Sequence, residues 1–433
     1  MRPIRFIHAA DLHLDSPFKG LSSLPQAIRR AVRESTFAAL NRLVETAVAE
    51  QADFVLFAGD IYDSADRSLR AQFRFQRAVE TLRERGIGVY IVHGNHDPED
   101  GNQAALRWPE GTCVFPSGEE APCAVFSDSA RGDLAYIHGW SYPASAVTEN
   151  PLRRFGKPRN GALNIGLLHA NVDGDPEHDN YAPCSRQELI ASGYDYWALG
   201  HVHGRRVLHE DPYIVYPGNL QGRSVRETGA KGCYVVDASE SGRLSLRFVP
   251  TDALRWHQVA VSIEGLASEQ ELKDVLEERM RECEDAADGR PSLVRFQLEG
   301  RGPLHRRLRR SSMLAELTEE LREAECVRAE TDPDAPFVWI ESVTVQTGQA
   351  LDLARIASRH PFLGDLIRIS GEIFDGRTEF EAFSQQSLRA LLEHPKAGAV
   401  LAEMLAREGG DWLKAAKELA VSSVADEEGW DEN

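Results

Sequence analysis

The first hundred residues alternate short apolar runs with amphipathic segments, and this alternation limits the possible folds more than any other feature. Apolar runs cover residues 3–11, 52–60 and 87–94, and residues 25–50 and 68–85 between them carry apolar side chains at helical spacing. Strands that alternate with helices in this way are typical of a parallel sheet covered by helices. The pattern therefore predicts an α/β protein with a β-α-β-α-β opening.

The pattern changes twice in the rest of the chain. Strand-like runs separated by Gly, Pro and Asn continue to about residue 250, among them DLAYIHGW, ALNIGLLHA, YDYWALGH, YIVYPG and GCYVVD. Residues 255–346 combine strand-like runs with an amphipathic segment over 268–286, which indicates a small α+β domain. Residues 347–433 have a helical pattern and end in an acidic tail, VADEEGWDEN. We therefore expect three regions, with boundaries at 254 and 346.

Length and charge restrict the function as well. The 433 residues correspond to two or three domains at roughly 150 residues each. The 49 Lys and Arg residues and the 68 Asp and Glu residues give a net charge of −19. This sign disfavours tight DNA binding by the chain alone, because nucleic acid is usually held by a broad basic surface. A phosphate substrate stays open, since bound cations can reverse the field of a local site.

The sequence also indicates the compartment. No run approaches the roughly 18 apolar residues of a membrane span. The N-terminal sequence lacks a cleavable apolar stretch, because Asp11 interrupts it. The six cysteines are dispersed without a CxxC pair, so neither a zinc ribbon nor a disulfide framework is predicted. We expect a cytoplasmic protein with reduced thiols and no membrane association.

Residue types that bind metal ions follow five of the strand-like runs. The candidate ligands are Asp11, His13, Asp60, Asn95, His169, His201 and His203. Loops that follow parallel strands meet at the carboxyl edge of a sheet, so we expect these side chains to lie close together. Oxygen and imidazole ligands suit manganese, iron or zinc. Seven ligands suffice for two metal ions if one carboxylate bridges them, as in two-metal phosphoryl transfer.

The motifs DLH, GD, GNHD, a lone His and GHVH, in this order, resemble those of the calcineurin-like metallophosphoesterase superfamily over roughly residues 1–250. Within it, ADLHLDSPF, GDIYD and YPGNLQGRSVRETGAKGCYVVD resemble the SbcD-like DNA-repair exonuclease branch, and most of all its YhaO-type members. The resemblance implies a metallophosphoesterase β-sandwich core flanked by helices over residues 1–254. For the rest of the chain we rely on architecture, and we expect that residues 255–346 cap the catalytic cleft and that the helical residues 347–433 bind a partner.

The resemblance further assigns roles to residues. It gives one metal ion to Asp11, His13, Asp60 and His203, and the other to Asp60, Asn95, His169 and His201, with Asp60 as the bridge. We expect two divalent cations, manganese first, with iron and zinc as alternatives, and a water held between them as the nucleophile. His96 is assigned to the phosphate as a catalytic residue that stabilises charge or protonates the leaving oxygen. Asp97 is assigned to the orientation of His96 or of its loop.

Three further residues keep two interpretations each. Asp63 either accepts a hydrogen bond from a metal-binding histidine or caps its loop. Arg223 and Arg226 follow a strand beside the predicted cleft, where they either contact the phosphate of the substrate or form surface salt bridges. The sequence does not decide between these interpretations.

We expect a two-metal-dependent DNA nuclease that hydrolyses phosphodiester bonds in DNA repair or end processing, as an exonuclease with endonuclease activity left open. The resemblance implies a coiled-coil ATPase partner of the SbcC or YhaN type, and homodimerisation. One alternative is a small-molecule phosphodiesterase or nucleotide pyrophosphatase on the same core. Another is a non-enzymatic scaffold for an ATPase, which the complete set of ligands disfavours.

Overall fold

The computed structural model describes residues 4–18, 21, 24–63, 68–101, 104, 106–129, 132–175, 179–310, 312–332, 335–350, 353–359, 361–394 and 397–427. The chain divides into two compact units. The first comprises Met1–Val259, Glu277–Phe296 and Thr318–Ser342, and the second Ala260–Leu276, Gln297–Leu317 and Val343–Asn433. All seven candidate metal ligands therefore belong to the first unit.

The strands and helices have the following bounds in the described residues. The strands are β1 Ile4–Ala9, β2 Phe54–Ala58, β3 Gly88–Val92, β4 Thr112–Val114, β5 Cys123–Asp128, β6 Gly132–Trp140, β7 Leu163–His169, β8 Tyr196–Gly200, β9 Arg206–Glu210, β10 Tyr213–Tyr216, β11 Gly232–Ala238, β12 Leu244–Pro250, β13 Arg255–Ser262, β14 Ser292–Arg301 and β15 Val338–Gly348. The helices are α1 Gln26–Ala49, α2 Leu69–Glu84, α3 Arg186–Ala191, α4 Glu269–Ala286, α5 His305–Arg310, α6 Met313–Thr331, α7 Leu353–Arg359, α8 Pro361–Asp375, α9 Arg377–Ser387, α10 Arg389–Leu392 and α11 Gly398–Glu427. A single 3₁₀ turn covers Pro151–Arg154.

Two six-stranded mixed sheets form the core of the first unit. The first has the order β12-β11-β1-β2-β3-β4, in which β1 to β4 are parallel and β11 and β12 are antiparallel. The second has the order β5-β6-β7-β8-β10-β9, in which β6, β7, β8 and β10 are parallel. Each sheet therefore has a parallel centre whose strands end at one edge.

The two sheets pack face to face through apolar side chains. Phe6 and Phe54 of the first sheet stack at 5.1 Å, and Tyr196 of the second sheet meets Phe6 edge-on at 5.2 Å. All three are fully buried. Helices α1 and α2 cover the other face of the first sheet, and α3 packs beside the second. Burial of both faces accounts for the nearly continuous apolar sequences of β1, β2 and β3, since parallel strands of this kind have no solvent-facing side.

The predicted β-α-β-α-β opening and the mixed α/β fold with a sheet sandwich are confirmed. The helices predicted over 25–50 and 68–85 occur as α1 and α2, and Ser68 begins α2 by accepting a hydrogen bond from the backbone N–H of Ala71 at 3.1 Å. Such an N-cap satisfies a donor that the first helical turn leaves free.

Some elements of the remaining chain also have the predicted types. β13, β14 and β15 form a three-stranded sheet in that order, α4 coincides with the amphipathic segment, and α7 to α11 follow. The three-region division at 254 and 346 stays a prediction. The last residues of the acidic tail, 428–433, lie outside the described residues. Among the helices that the structure describes, none has the length and apolarity needed to cross a bilayer.

Candidate metal centre

The predicted ligands converge where strands of both sheets end. In the structure Asp11 and His13 follow β1, Asp60 follows β2, Asn95 and His96 follow β3, His169 ends β7, and His201 and His203 follow β8. Three groups of side chains have ligand atoms within 4.8 Å of one another, namely Asp11 with His13 and His203, Asp11 with Asp60 and His169, and His13 with Asp63 and His96. The topology therefore assembles one polar cluster from five separate sequence motifs.

The backbone of this cluster is strained. Asp11, His13, Asp60 and His201 have φ angles of 51°, 42°, 51° and 104°, a region that side chains other than glycine rarely adopt. Each such conformation costs on the order of 1–3 kcal/mol and persists only where other contacts fix it. The N–H groups of Asp11 and His13 donate to the carbonyls of Gly59 and Asp60 at 3.1 and 3.0 Å. Strain concentrated at one place is typical of a functional site.

Glycine is required at two points of close approach. A Cβ atom on Gly94 would lie 2.3 Å from Oδ1 of Asp60, and one on Gly200 would lie 1.9 Å from the carbonyl oxygen of Ala58. These glycines precede Asn95 and His201 directly. Their missing side chains allow the two ligand loops to approach the end of β2.

His13 and His203 face each other through their Nε2 atoms, which are 3.2 Å apart. The Nδ1 atom of His13 lies 2.8 Å from Asp63, and that of His203 lies 2.7 Å from Glu227. Burial, and then the charge of Arg223, lower the pKa of His13 to about 4, so its ring is neutral. Because a carboxylate only accepts, the proton of such a ring is on Nδ1 and the lone pair of Nε2 points to its neighbour. The position between the two Nε2 atoms therefore suits a cation.

His169 and His201 are oriented by backbone carbonyls. Nδ1 of His169 lies 2.9 Å from the carbonyl of Ala58, and Nε2 of His201 lies 2.8 Å from that of Asp179. Their other ring nitrogens lie 3.0 and 3.2 Å from Oδ1 of Asn95. Each ring therefore presents its remaining nitrogen to the same amide oxygen.

The electrostatics around Asp60 and His169 favour positive charge. Burial would lower the pKa of His169, but the carboxylate of Asp60, 3.4 Å from its Nε2, outweighs burial and raises that pKa to about 9. Burial likewise would raise the pKa of Asp60, but the ring of His169 holds it well below its ordinary value. A field that stabilises a proton here also stabilises a metal cation. The residues thus fit the two divalent ions that their motifs predict.

His96 lies at the open side of the cluster. Its backbone N–H donates to Oδ1 of Asp60 at 2.9 Å, and its Nδ1 lies 2.8 Å from Oδ1 of Asp63. The side chain is 48% exposed, whereas those of His13 and His169 are almost fully buried. Burial would lower its pKa, but the hydrogen bond to Asp63 raises it overall. The ring can therefore contact a substrate with its Nε2 while a carboxylate supports the other nitrogen.

Comparison with known proteins identifies the family. The family model described as calcineurin-like phosphoesterase matches residues 4–205, and that described as the middle domain of metallophosphoesterase YhaO matches residues 256–348. The chain is 36% identical over 403 residues to an uncharacterized metallophosphoesterase, YhaO of Bacillus subtilis (strain 168), across 90% of this chain and 95% of that protein. The chain belongs to the calcineurin-like metallophosphoesterase family. The predicted resemblance is confirmed, and with it the class of metal-dependent phosphoester hydrolases.

Two other similarities are partial. The chain is 28% identical over 242 residues to the DNA double-strand break repair protein Mre11 of Aeropyrum pernix, which covers 53% of this chain and 56% of that protein. A dimetal phosphatase from Danio rerio of known crystal structure has 13% sequence identity and a TM-score of 0.37, over 58% of this chain and 97% of that one.

Asp97 of the metallophosphoesterase supports the backbone of the ligand loops. Its carboxylate accepts from the N–H groups of Ile61 at 2.9 Å and Gly94 at 2.7 Å, and of Asp60 at 3.2 Å. The contact to the ring of His96 comes from Asp63 instead. Of the two predicted roles of Asp97, these contacts favour orientation of the loop.

Two carboxylates support imidazoles, and one of them was missed by sequence reasoning. Asp63 contacts His13, so the contacts favour its interpretation as an acceptor for a predicted metal ligand. Glu227 occupies the same position relative to His203. It lies outside every motif that indicated metal chemistry, 24 positions after its partner, so only the folded chain reveals it. The contact between the carbonyl of Asp179 and His201 could not be predicted either, because a backbone acceptor has no sequence signature.

The two arginines have different environments. The guanidinium of Arg223 lies 3.5 Å from Asp63 and 3.9 Å from Glu227, between the two supporting carboxylates. Its Nε is buried and has no hydrogen-bond partner in the described structure. Arg226 is exposed. Arg223 therefore combines weak ion pairs with unused donor capacity beside the metal centre.

Proposed function

We propose that this metallophosphoesterase is a two-metal-dependent nuclease that hydrolyses phosphodiester bonds in DNA. The catalytic part of the proposal is supported by the convergence of seven ligands on one point beside an exposed, carboxylate-supported His96. The choice of DNA is supported by the similarity to a DNA double-strand break repair protein over 242 residues.

The predicted ligands form two sets, one for each metal ion. Asp11, His13, Asp60 and His203 would hold one divalent ion, and Asp60, Asn95, His169 and His201 would hold the other. When bound, two such ions supply positive charge for the phosphoryl group and activate water near neutral pH. We propose manganese as the metal, since the ligand set suits it, with iron and zinc as alternatives.

His96 would act as the acid that protonates the leaving oxygen. The hydrogen bond from Nδ1 to Asp63 raises its pKa, which favours the protonated ring that an acid requires. Proton donation by such a residue contributes typically 10²–10⁴-fold to the rate, as an order of magnitude. Arg223 would contact a non-bridging phosphate oxygen with its terminal guanidinium nitrogens, whose ion pairs with Asp63 and Glu227 are long.

A partner would supply part of the DNA affinity. The net charge of −19 disfavours a broad DNA surface on the chain itself. We propose a coiled-coil ATPase of the SbcC or YhaN type, bound by the C-terminal helices of the second unit. Large apolar side chains are exposed there, among them Phe362, Phe374, Leu391, Val400 and Leu419. Contiguous exposed apolar surface marks interaction sites, and we propose that these side chains contribute to one.

The charge also favours a second candidate, a small-molecule phosphodiesterase or nucleotide pyrophosphatase on the same centre. A nucleotide-sized substrate needs no extended basic surface. The same ligands and the same His96 would serve it.

One experiment separates the two candidates. Purified full-length chain is incubated with MnCl₂ and end-labelled single- or double-stranded DNA, and in parallel with bis(p-nitrophenyl) phosphate and cyclic nucleotides. The nuclease proposal expects DNA degradation, and His96→Ala should reduce it by about 10²-fold or more. Cleavage of the small substrates without any DNA degradation, also after addition of the ATPase, would contradict it and favour the second candidate.

A further inference from the structure

Glu227 is the carboxylate that the family motifs leave unassigned. Its Oε1 lies 2.7 Å from Nδ1 of His203, and its Oε2 accepts from the backbone N–H of Arg223 at 2.6 Å. The side chain is 13% exposed. Both oxygens are therefore committed to fixed partners, and one of these is a predicted metal ligand.

The main chain of His203 is fixed from the same segment. The Nζ of Lys231 donates to the carbonyl of His203 at 3.2 Å, and the N–H of Asn219 donates to the same carbonyl at 3.4 Å. Asn219, Glu227 and Lys231 all belong to residues 219–231, which we name the linking segment. The ring and the backbone of His203 are thus both held by the linking segment.

The linking segment is in turn held by the residues that lead into β13. The indole Nε1 of Trp256 donates to the carbonyl of Gly222 at 3.0 Å, and the N–H of Gly229 donates to the carbonyl of Trp256 at 3.2 Å. Trp256 is 1% exposed. Its two hydrogen bonds bracket Glu227 in the sequence, so they fix both sides of the turn that carries this carboxylate.

Gln221 adds a second attachment. Its Oε1 accepts from the N–H of Ala253 at 2.7 Å, and its Nε2 donates to the carbonyl of Leu254 at 2.8 Å. The side chain is 1% exposed. The donor and the acceptor of this buried amide are both bonded to residues 253–254. These bonds fix the position of the backbone at Gln221.

The carboxylate that supports the other such ligand comes from a different part of the chain. His13 is supported by Asp63, which follows β2 within the same motif region as the bridging Asp60. Glu227 instead lies in a loop before β11, and its position is fixed by contacts to residues 253–256.

We propose that Glu227 is a positioning residue of the metal centre, which orients His203 and is itself held in place by Trp256 through the linking segment. The inference rests on the two-metal centre of the proposed function and is independent of DNA as the substrate. A carboxylate that accepts from the second nitrogen of a ligand histidine fixes its tautomer and direction, and its loss typically weakens metal affinity or activity by about 10–100-fold.

The test is a titration of the full-length, metal-free chain with MnCl₂ alone, followed by calorimetry. The wild type is expected to bind two ions. Glu227→Ala is expected to weaken one of the two binding steps by about 10–100-fold and to leave the other within about twofold. A general structural defect would weaken both steps, so the asymmetry identifies positioning. Glu227→Gln, which keeps an acceptor and the side-chain volume, is expected to restore part of the lost affinity.

Glu188→Ala is the matched control. This glutamate accepts from Ser185 in the capping box of α3, so its loss removes a hydrogen-bonded carboxylate from the same unit without touching the centre. Its titration is expected to equal that of the wild type. Two steps of wild-type affinity in both Glu227 variants, or equal weakening of both steps in the folded Glu227→Gln protein, would overturn the positioning role.

Trp256→Phe tests the second part of the proposal, which is that Trp256 holds Glu227 in place. The variant keeps an aromatic ring but removes the indole N–H. It is expected to weaken the same binding step by less than Glu227→Ala does. In a Glu227→Ala background it is expected to cause no further loss, since the contact that it supports is already absent. Equal losses from Trp256→Phe in both backgrounds would show that Trp256 acts by another route and would overturn that part.

Discussion

The two histidine pairs of the metal centre differ in what orients them. His13 and His203 have carboxylate partners, Asp63 and Glu227, whereas His169 and His201 have the backbone carbonyls of Ala58 and Asp179 as partners. A carboxylate brings a full negative charge to its imidazole, and a carbonyl brings only a dipole. The comparison teaches that the residues orienting the first pair carry negative charge, which the backbone carbonyls orienting the second pair lack.

Asp60, the proposed bridge, lies close to a histidine of each pair, so its loss should have the largest effect. Asp60→Ala is expected to abolish manganese-dependent hydrolysis of bis(p-nitrophenyl) phosphate, on the order of a thousandfold or more, because bound metals stabilise the transition state by several kcal/mol. Asp53→Ala is the control at the other end of β2, where the carboxylate accepts from the N–H of Arg5 at 2.7 Å. Substantial metal-stimulated activity in Asp60→Ala would show that the two pairs do not share a bridge.

The carboxylate-supported pair can be weakened separately. Asp63→Asn removes the negative charge that contacts Nδ1 of both His13 and His96, each at 2.8 Å. The expected result is a loss of about 10–100-fold in manganese affinity or activity. The raised pKa of His96 should also fall, so the decline of kcat at alkaline pH should begin at a lower pH. Loss of activity with an unchanged pH profile would assign Asp63 to His13 alone.

His8 is a buried histidine outside the metal centre, and its pKa can be compared with that of His169. Its nitrogens contact the hydroxyl of Tyr196 at 3.0 Å and the carbonyl of Leu199 at 3.1 Å, and burial lowers its pKa to about 3. The equally buried His169 has a pKa raised to about 9 by Asp60. The contrast is therefore caused by the carboxylates and not by burial.

His8 gives the smallest of the expected effects. Between pH 6.5 and pH 3 the unfolded chain binds a proton that the folded chain excludes, so stability falls as pH decreases through this range. From pH 7 to pH 5 the contribution is about 2 kcal/mol of unfolding free energy. Urea unfolding of the metal-free chain at both pH values measures it, with His8→Gln as the comparison. An equal pH dependence in wild type and variant would exclude His8 as its source.

The strands and the motifs at their ends could be predicted because their signals lie in short stretches of sequence. Four of the five predicted metal-binding motifs follow a strand and the fifth ends one, so the strand pattern alone predicts that Asp60 and Asn95 lie at the carboxyl edge of a sheet. The confirmed β-α-β-α-β opening has the same origin, because its periodicity is contained in short windows.

The supporting contacts could not be predicted in the same way. Glu227 contacts His203 only because a loop before β11 is held by Trp256, which is an arrangement of three distant segments. We expect Asp97 to orient His96 or its loop, and only the folded chain shows the hydrogen bonds to Ile61 and Gly94 that favour the loop. Such choices depend on tertiary packing, which local sequence does not contain.

The most direct test of the two-metal account is anomalous diffraction from a crystal of the full-length chain grown with MnCl₂. We expect two manganese peaks roughly 3.5–4 Å apart, with the carboxylate of Asp60 in contact with both. One peak should lie beside His13 and His203, and the other beside Asn95, His169 and His201. A single peak, or none among these residues, would contradict the account.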